Sequence, residues 1–208
     1  MKSEWLECET RVALPPDDPL QTRLNALWSE AGGLWDRFFQ QPAYAGFVAA
    51  DYALVFQALR RLQGRAASFL EWGSGTGVAT IMASMLGFEA YGIEIEPRLV
   101  ETSQRLARKY DTRAHFVEGT FIPDDYVWNA EHGDENFRSR LDGRSGYVEM
   151  DMELRDFDIV YVYPWPDEEP LLQDIVRQCG ARHALFLTYH VREGMKLSRF
   201  GTRRRNSR

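Results

Sequence analysis

The spacing of apolar residues along the chain changes near residue 64. Before that point, apolar side chains recur three or four positions apart, from Leu20 to Phe39 and again from about Phe47 to Leu62. This periodicity predicts two helices, with a break or kink at Gly32-Gly33. After it, short apolar runs alternate with amphipathic segments, which is typical of β-α-β units in a parallel sheet. We expect the two helices to cover one side of that sheet.

Five strands and three helices are predicted in the second part of the chain. Their order predicts an α/β fold with a doubly wound, mostly parallel sheet of at least five strands and flanking helices. The predicted strands lie at about 67–72, 90–95, 114–118, 157–163 and 184–190, and the predicted helices at about 78–86, 97–109 and 168–179. Residues 1–66 are then an N-terminal extension, with residues 1–18 as a tail, packed on a domain of residues 67–208.

A polar stretch from about residue 123 to 155 separates the third and fourth predicted strands. It holds several glycines and many acidic residues, and it is longer than most connections in a compact domain. It leaves the sheet at the carboxyl ends of the strands, where open α/β folds bind ligands. We therefore expect an insertion that is either a lid over a binding site or partly disordered.

The charge balance limits the partners of the chain. Its 208 residues carry a formal net charge of -6, which gives no overall attraction to a phosphate backbone. A nucleic-acid partner is expected only if the basic C-terminal segment, which includes Lys196, Arg199 and Arg203, acts as a binding arm. A solvated tail is the interpretation that we favour for that segment.

Cysteine and histidine usage argues against disulfides and metal sites. The two cysteines, Cys8 and Cys179, are too few for a disulfide framework and lack the spacing of a zinc or redox pair, and the four histidines show no ligand spacing. We expect free thiols in a reducing compartment. The acidic N-terminus does not have the pattern of a signal peptide, and no apolar stretch is long enough to span a bilayer, so the expected location is cytoplasmic, with no membrane partner.

A glycine-rich segment follows the first predicted strand. Glycines at a strand-to-helix turn allow positive φ and let a ligand approach the backbone closely. A dinucleotide-binding GxGxxG loop would place a glycine at Val78, and an acid two residues before the first glycine suits a cationic sulfonium and ammonium ligand better than a pyrophosphate. The segment reads Glu71-Trp72-Gly73-Ser74-Gly75-Thr76-Gly77.

A second acid, Glu94, ends the next predicted strand. It lies about 20 residues beyond the glycine loop, which is the spacing expected for a carboxylate that binds the vicinal hydroxyls of a ribose. A charged carboxylate accepts two such hydrogen bonds strongly. The sequence therefore predicts that Glu94 binds a ribose.

Together, these two segments resemble the first two motifs of class I, Rossmann-like methyltransferases that use S-adenosylmethionine. The resemblance covers about Ser68 to His190 and implies that Glu71 helps to orient the methionine end of the cofactor. It also implies that the end of the third strand contacts the adenine, with Thr120 where the family often has an aspartate. The residues expected around the adenine are Ile95, Gly119, Thr120 and Phe121.

The fourth predicted strand runs into Tyr163-Pro164-Trp165-Pro166. This segment is similar to the Asn/Asp-Pro-Pro-aromatic motif of amino-group methyltransferases, with Tyr163 in place of the polar first residue. The resemblance implies a catalytic role for Tyr163 as a hydrogen-bond acceptor and for Trp165 as an aromatic wall against a cationic amine. The adjacent Asp167 is expected to attract a basic substrate or act as a base, unless it only begins the acidic first turn of the next helix.

The leading functional hypothesis is methyl transfer from S-adenosylmethionine to an unidentified acceptor. A protein lysine or small amine ranks ahead of nucleic acid because of the net negative charge, and the layout is also similar to that of small lysine methyltransferases with a short C-terminus. The alternatives are a non-catalytic S-adenosylmethionine-binding module and an NAD-linked oxidoreductase. Because only Val191 to Arg208 follow the fifth strand, the sheet is expected to be shortened, or completed by the insertion or another subunit. An exposed sheet edge would favour a homodimer.

Overall fold

The computed structural model describes residues 1–6, 14–15, 18–39, 41, 44, 48–128, 137, 139 and 142–200. Within these ranges, one sheet of seven strands is flanked by six α-helices and a short 3-10 helix at Leu154–Asp156. The strands are β1 (Lys2–Leu6), β2 (Ser68–Trp72), β3 (Glu89–Glu94), β4 (His115–Glu118), β5 (Ile159–Val162), β6 (Leu185–His190) and β7 (Gly194–Arg199). The helices are α1 (Pro19–Phe39), α2 (Tyr52–Leu62), α3 (Val78–Met85), α4 (Pro97–Lys109), α5 (Gly146–Met150) and α6 (Glu169–Cys179).

The strand order is β1-β7-β6-β5-β2-β3-β4. Strands β2 to β6 are parallel, whereas β7 is antiparallel to β6, and β1 is antiparallel to β7. The chain runs outward from β2 through β3 to β4 and then returns to start again at β5, so the strand order reverses between β2 and β5. Such a switch point opens a crevice at the carboxyl ends of the strands. The predicted fold class is confirmed.

The first two helices follow the predicted apolar stripes, with two differences. Helix α1 is continuous through Gly32-Gly33, so the predicted break is wrong. Both glycines lie on the exposed side, whereas the opposite side, including Leu24, is buried and stabilises the helix by packing. Helix α2 begins at Tyr52, because the Asp51 carboxylate accepts hydrogen bonds from the first-turn amides and caps the helix there.

The two ends of the chain complete the sheet, which the sequence did not predict. Residues 2–6, expected to be part of a tail, form β1, whose polar sequence has no apolar periodicity. Its place is set by pairing with β7, including a hydrogen bond of 3.0 Å between the hydroxyls of Ser3 and Ser198. Strand β7 covers the edge of β6, so neither the insertion nor another subunit is needed there. The argument for a homodimer from that edge is therefore removed.

Two basic residues that were assigned to a solvated tail belong to β7. Lys196 forms an ion pair with Glu169, and the Arg199 guanidinium lies 3.6 Å from a carboxylate oxygen of Glu4. Residues 201–208, including Arg203, lie outside the described residues, as does Cys8. Cys179 is a buried free thiol.

The predicted insertion contributes to the core through its second half. Backbone hydrogen bonds join Thr120 to residues 144 and 146, and α5 then packs beneath the sheet. The buried Trp72 indole donates a hydrogen bond of 2.8 Å to the Tyr147 hydroxyl. Helices α1 to α4 contribute to the core on one face of the sheet, and α5 and α6 to that on the other. The tip of the insertion, at residues 129–136, lies outside the described residues.

No helix in the described part of the chain is both long and apolar enough to cross a membrane.

Adding a methyl group at Gly77 is expected to destabilise the fold. Gly77 has φ of +77°, and a Cβ atom there would lie 2.4 Å from the Phe116 ring and 2.7 Å from Ser103 Cβ. Strain and overpacking together predict that Gly77→Ala lowers the free energy of unfolding by roughly 2–4 kcal/mol, measured by urea denaturation. The control is Gly33→Ala, at a helical position where an added Cβ atom would have open space around it. This substitution should instead raise the free energy of unfolding by about 0.5–1 kcal/mol. Equal stability of the two variants would contradict this packing.

Candidate active site

A cavity of about 830 Å³ opens at the carboxyl ends of the parallel strands. This size is suitable for a cofactor-sized ligand. The cavity is lined by the segments that follow β2, β3, β4, β5 and β6 and by the connection between α1 and α2. It therefore lies at the switch point of the sheet, where the fold predicts a ligand site.

All but one of the residues predicted for the site line this cavity. The cofactor half contains Glu71, Trp72, Gly73, Ser74, Gly75, Thr76, Glu94, Ile95, Gly119, Thr120 and Phe121, and the acceptor half contains Tyr163, Trp165 and Asp167. The exception is Gly77, which lies behind the loop against Phe116 and contributes by packing. Their roles toward a ligand stay predictions.

The glycine loop after β2 has the backbone shape that its sequence predicts. Gly73, Gly75 and Gly77 all have positive φ, of 65°, 54° and 77°. The Gly77 amide donates a hydrogen bond to the Ser74 carbonyl, which closes the turn. The Ser74 hydroxyl is buried and has no hydrogen-bond partner in the structure, although it belongs to a residue of the cavity wall. The hydroxyl lies against Gly92 of β3, where an added Cβ atom would be 2.8 Å from it.

The Glu71 carboxyl is buried at the base of the loop. One of its oxygens accepts hydrogen bonds from the Thr80 amide, at 3.0 Å, and the Thr80 hydroxyl, at 2.6 Å. None of the ion pairs among the described residues involves Glu71. Burial raises the pKa of Glu71 to about 8, against the effect of the Thr80 hydrogen bonds. The carboxyl is therefore protonated at neutral pH unless a cation enters the cavity.

The Glu94 carboxylate connects the end of β3 to the glycine loop. One oxygen accepts hydrogen bonds from the amides of Ile95 and Glu96, at 2.8 and 3.0 Å, and the other accepts from the Gly75 amide at 2.8 Å. Burial raises the pKa of Glu94, and these amides act in the opposite direction. Three of about four acceptor positions are in use, which leaves room for about one ligand hydroxyl rather than the predicted two.

Aromatic packing shapes the wall beyond β4. The Phe121 ring stacks on the buried Trp72 indole with centroids 5.0 Å apart, so Trp72 supports this wall from below. Thr120 is also buried, and its hydroxyl accepts a hydrogen bond of 3.3 Å from the Ile122 amide. Phe121 and Ile95 are placed to pack on a flat ring.

The acceptor half follows β5. The Tyr163 ring meets Tyr189 edge to face, with centroids 4.9 Å apart. The three acids of the next segment have different environments. Asp167 lines the cavity, Glu168 is buried and accepts hydrogen bonds from the amide and hydroxyl of Ser139, and Glu169 binds Lys196. The helix begins at Glu169 with Glu168 at its N-cap, so Asp167 precedes the helix and is not part of its first turn.

Two other segments line the cavity and were not assigned to the site from sequence. One is the connection between α1 and α2 together with the first residue of α2, and it includes Tyr44, Val48 and Tyr52. The other is the end of β6 and the turn after it, which includes His190 and Glu193. Tyr52 belongs to an apolar helical stripe that indicated only a core position, so no local pattern marked it. Among the described residues, no group of three or more histidine, cysteine or acidic side chains could hold a metal ion.

Comparisons with known proteins agree with this geometry. No protein-family model matches the chain. A segment of 67 residues is 33% identical to ribosomal protein L11 methyltransferase of Thermus thermophilus and covers 32% of this chain but only 26% of that relative. The solved structure of an RNA methyltransferase from Salinibacter ruber in complex with S-adenosyl-L-homocysteine matches with a TM-score of 0.52 at 14% identity, covering 74% of this chain and 94% of that one.

The chain has the class I methyltransferase fold. The structural match covers 74% of this chain, and the cavity lies at the switch point of the sheet. The L11 methyltransferase match covers only about a quarter of that protein, so its activity is not transferred by this similarity.

Replacing Glu71 with Gln is expected to change how stability depends on pH. The pKa of this carboxyl is raised from its ordinary value of 4.5 to about 8 in the folded chain. Between these values the folded protein keeps a proton that the unfolded chain has released, so wild-type stability falls as the pH rises through this window. Glu71→Gln removes that loss, and should be more stable than wild type by roughly 3–5 kcal/mol at about pH 9 and equally stable near pH 4.

Urea unfolding of both proteins across this pH range measures the difference. The matched control is Glu101→Gln, at an exposed position of α4, and its stability difference from wild type should stay small at every pH. A Glu71→Gln difference that does not grow with pH would show that Glu71 is already ionised in the folded protein.

Proposed function

We propose that the chain binds S-adenosylmethionine in this cavity and transfers its methyl group to an amino group of a protein lysine or small amine. The observation that carries the proposal is the buried Glu71 carboxyl beneath the glycine loop. A buried acid without a cationic partner destabilises the free protein, and a ligand that carries ammonium and sulfonium charges compensates for it.

The remaining residues of the cofactor half fit the other parts of this ligand. The free acceptor position of Glu94 is suited to one ribose hydroxyl, and Ile95 and Phe121 are suited to the two sides of an adenine. Thr120 has its hydroxyl engaged with Ile122, so adenine recognition is expected to use backbone groups near Gly119. S-adenosyl-L-homocysteine is bound in the structural relative from Salinibacter ruber, which supports this ligand class.

NAD fits the cavity less well. Its pyrophosphate would lie near the glycine loop, where the Glu94 carboxylate would repel it and where it would give the buried Glu71 no cationic partner. The loop also has Val78 where a dinucleotide-binding loop has its last glycine, and Val78 is buried at the start of α3.

The acceptor half favours a cationic substrate. Tyr163, Tyr189 and Trp165 provide aromatic faces, and Asp167 contributes negative charge beside them. Aromatic rings and a carboxylate together attract an ammonium group. Methyl transfer requires mainly that the acceptor nitrogen be positioned in line and that water be excluded, and the mostly aromatic walls are suited to both.

Cofactor binding is expected to depend on Glu94. Calorimetry should show binding of S-adenosylmethionine and S-adenosylhomocysteine, and no tighter binding of NAD. Glu94→Gln removes the charge that strengthens the ribose hydrogen bond and should weaken binding about 10-fold or more. The control is Glu118→Gln, because Glu118 is the register partner of Glu94 on β4 but does not line the cavity. Tighter binding of NAD than of S-adenosylmethionine would refute the proposal.

The acceptor class is tested with a methyl-labelled cofactor. We expect label in poly-L-lysine or butylamine and none in RNA, because the cavity is acidic and aromatic. Asp167→Asn should raise the KM for the amine roughly 3- to 10-fold with a small effect on cofactor affinity, since it removes an attraction on the acceptor side only. If only RNA became labelled, the acceptor would be a nucleic acid and not an amine. Tight cofactor binding without label in any acceptor would favour a binding module.

A further inference from the structure

The carboxyl end of β6 brings a histidine into the acceptor half of the cavity. His190 is the last residue of β6, and its side chain is 21% exposed and lines the cavity. The sheet order places β6 next to β5 and two strands from β2. Neighbouring strands lie about 4.8 Å apart, so His190 is roughly 10 Å from the glycine loop, on the side of Tyr163. It is thus beside an acceptor and not beside the adenine.

Hydrogen bonds and packing fix the His190 ring. Its Nε2 atom lies 2.9 Å from the Thr188 hydroxyl and 3.7 Å from a carboxylate oxygen of Glu169. The other oxygen of Glu169 accepts a hydrogen bond of 2.6 Å from Lys196. The Trp5 ring of β1 meets the imidazole edge to face, with centroids 5.3 Å apart. The ring is therefore contacted by side chains from two strands, β6 and β1, and from helix α6.

The Thr188 hydroxyl and the Glu169 carboxylate both lie near Nε2, and this arrangement favours one tautomer of the ring. A carboxylate near Nε2 favours the tautomer that carries its proton on that atom, as with other histidines oriented by an acid. The lone pair is then on Nδ1. When Nδ1 accepts a second proton, the resulting imidazolium is stabilised by Glu169.

We propose that His190 removes the proton from the ammonium group of the acceptor and that Glu169 is its positioning residue. This inference rests on the proposed function. In the step, an N–H bond of the acceptor breaks, its electron pair stays on nitrogen as the nucleophilic lone pair, and the proton forms a bond to Nδ1. The imidazolium then releases the proton to water through the open side of the cavity, which regenerates the neutral ring.

The electrostatic surroundings support this role. Burial lowers the pKa of His190, Lys196 acts in the same direction, and Glu169 and Glu193 oppose them. The other charged and titratable side chains in the acceptor half of the cavity wall include Asp167, Arg192, Tyr163 and Tyr189. The imidazole is therefore neutral near pH 7 and free to accept a proton. A lowered pKa makes the imidazole a weaker base, so the transfer depends on loss of hydration of the substrate ammonium, which lowers the ammonium pKa against the opposite effect of Asp167.

Two neighbouring groups are less suited to this step. The pKa of Tyr163 is raised by burial and by the nearby Tyr189, so its phenol stays protonated. The Glu169 carboxylate already binds Lys196 and accepts a hydrogen bond of 2.7 Å from Gln173. His190 differs from both, because burial lowers its pKa and keeps the imidazole in the neutral form that can accept a proton.

The test is the pH profile of kcat for butylamine methylation at saturating S-adenosylmethionine. Wild type should show a plateau above the pKa of His190 and a fall below it. In His190→Gln, kcat should be lower by about 100-fold or more near pH 7 and should rise about tenfold per pH unit, since only amine that is already deprotonated in solution can react. The control is His183→Gln, which removes an exposed histidine just before β6 that pairs with Asp158, and its profile should match that of wild type.

A second variant distinguishes a proton acceptor from a structural residue. Glu169→Gln removes the anion that stabilises the imidazolium, so the acidic limb of the profile should move to lower pH. A His190→Gln profile that is lowered by the same factor at every pH, with cofactor affinity unchanged by calorimetry, would overturn the inference and leave the proposed function intact. If the wild-type protein transferred no methyl group to amines, both the role of His190 and the proposed function would be overturned.

Discussion

The Glu94 carboxylate is the interaction on which the geometry of the site depends. It accepts hydrogen bonds from amides of two segments, the glycine loop after β2 and the turn after β3, and so fixes their separation at the switch point of the sheet. The same region is closely packed: a Cβ atom at Gly92 would lie 2.8 Å from both Ser74 and Phe116. The loop therefore has little freedom to adjust, and a ligand meets a preformed backbone surface rather than one that must be organised on binding.

The buried carboxyls near the glycine loop reduce the stability of the free protein. Two carboxyls, Glu71 and Glu94, are buried near the same loop, and the charge of Glu94 contributes to the raised pKa of Glu71. A core optimised only for stability would not contain Glu71, because an uncompensated buried acid is unfavourable. Glu71 lowers the stability of the free protein, and a cationic ligand would remove this effect. The stability of the free chain is therefore linked to the chemistry of the site.

The sequence predicted the parallel part of the sheet and most of the site, because both depend on local patterns. The glycine loop, Glu94 and Tyr163 each follow a buried apolar run, and the carboxyl ends of parallel strands meet at one edge. Strand β1 was missed because its residues are mostly exposed and polar, and only pairing with β7 makes them a strand. Tyr52 was missed for a related reason: it belongs to a helical stripe that buries most of its members, and position in the fold alone brings it to the cavity.

The two halves of the cavity also differ in how far they depend on local sequence patterns. The cofactor half is built almost entirely from the ends of β2, β3 and β4, which are tied together by short-range contacts. The acceptor half depends on segments that are far apart in sequence, since Ser139 bonds to Glu168 and Trp5 packs on His190. Substitutions in these segments can therefore change the acceptor that fits without disturbing the Glu94 contacts. The same fold therefore combines a cofactor half that follows local sequence patterns with an acceptor half that also uses segments the sequence did not assign to the site.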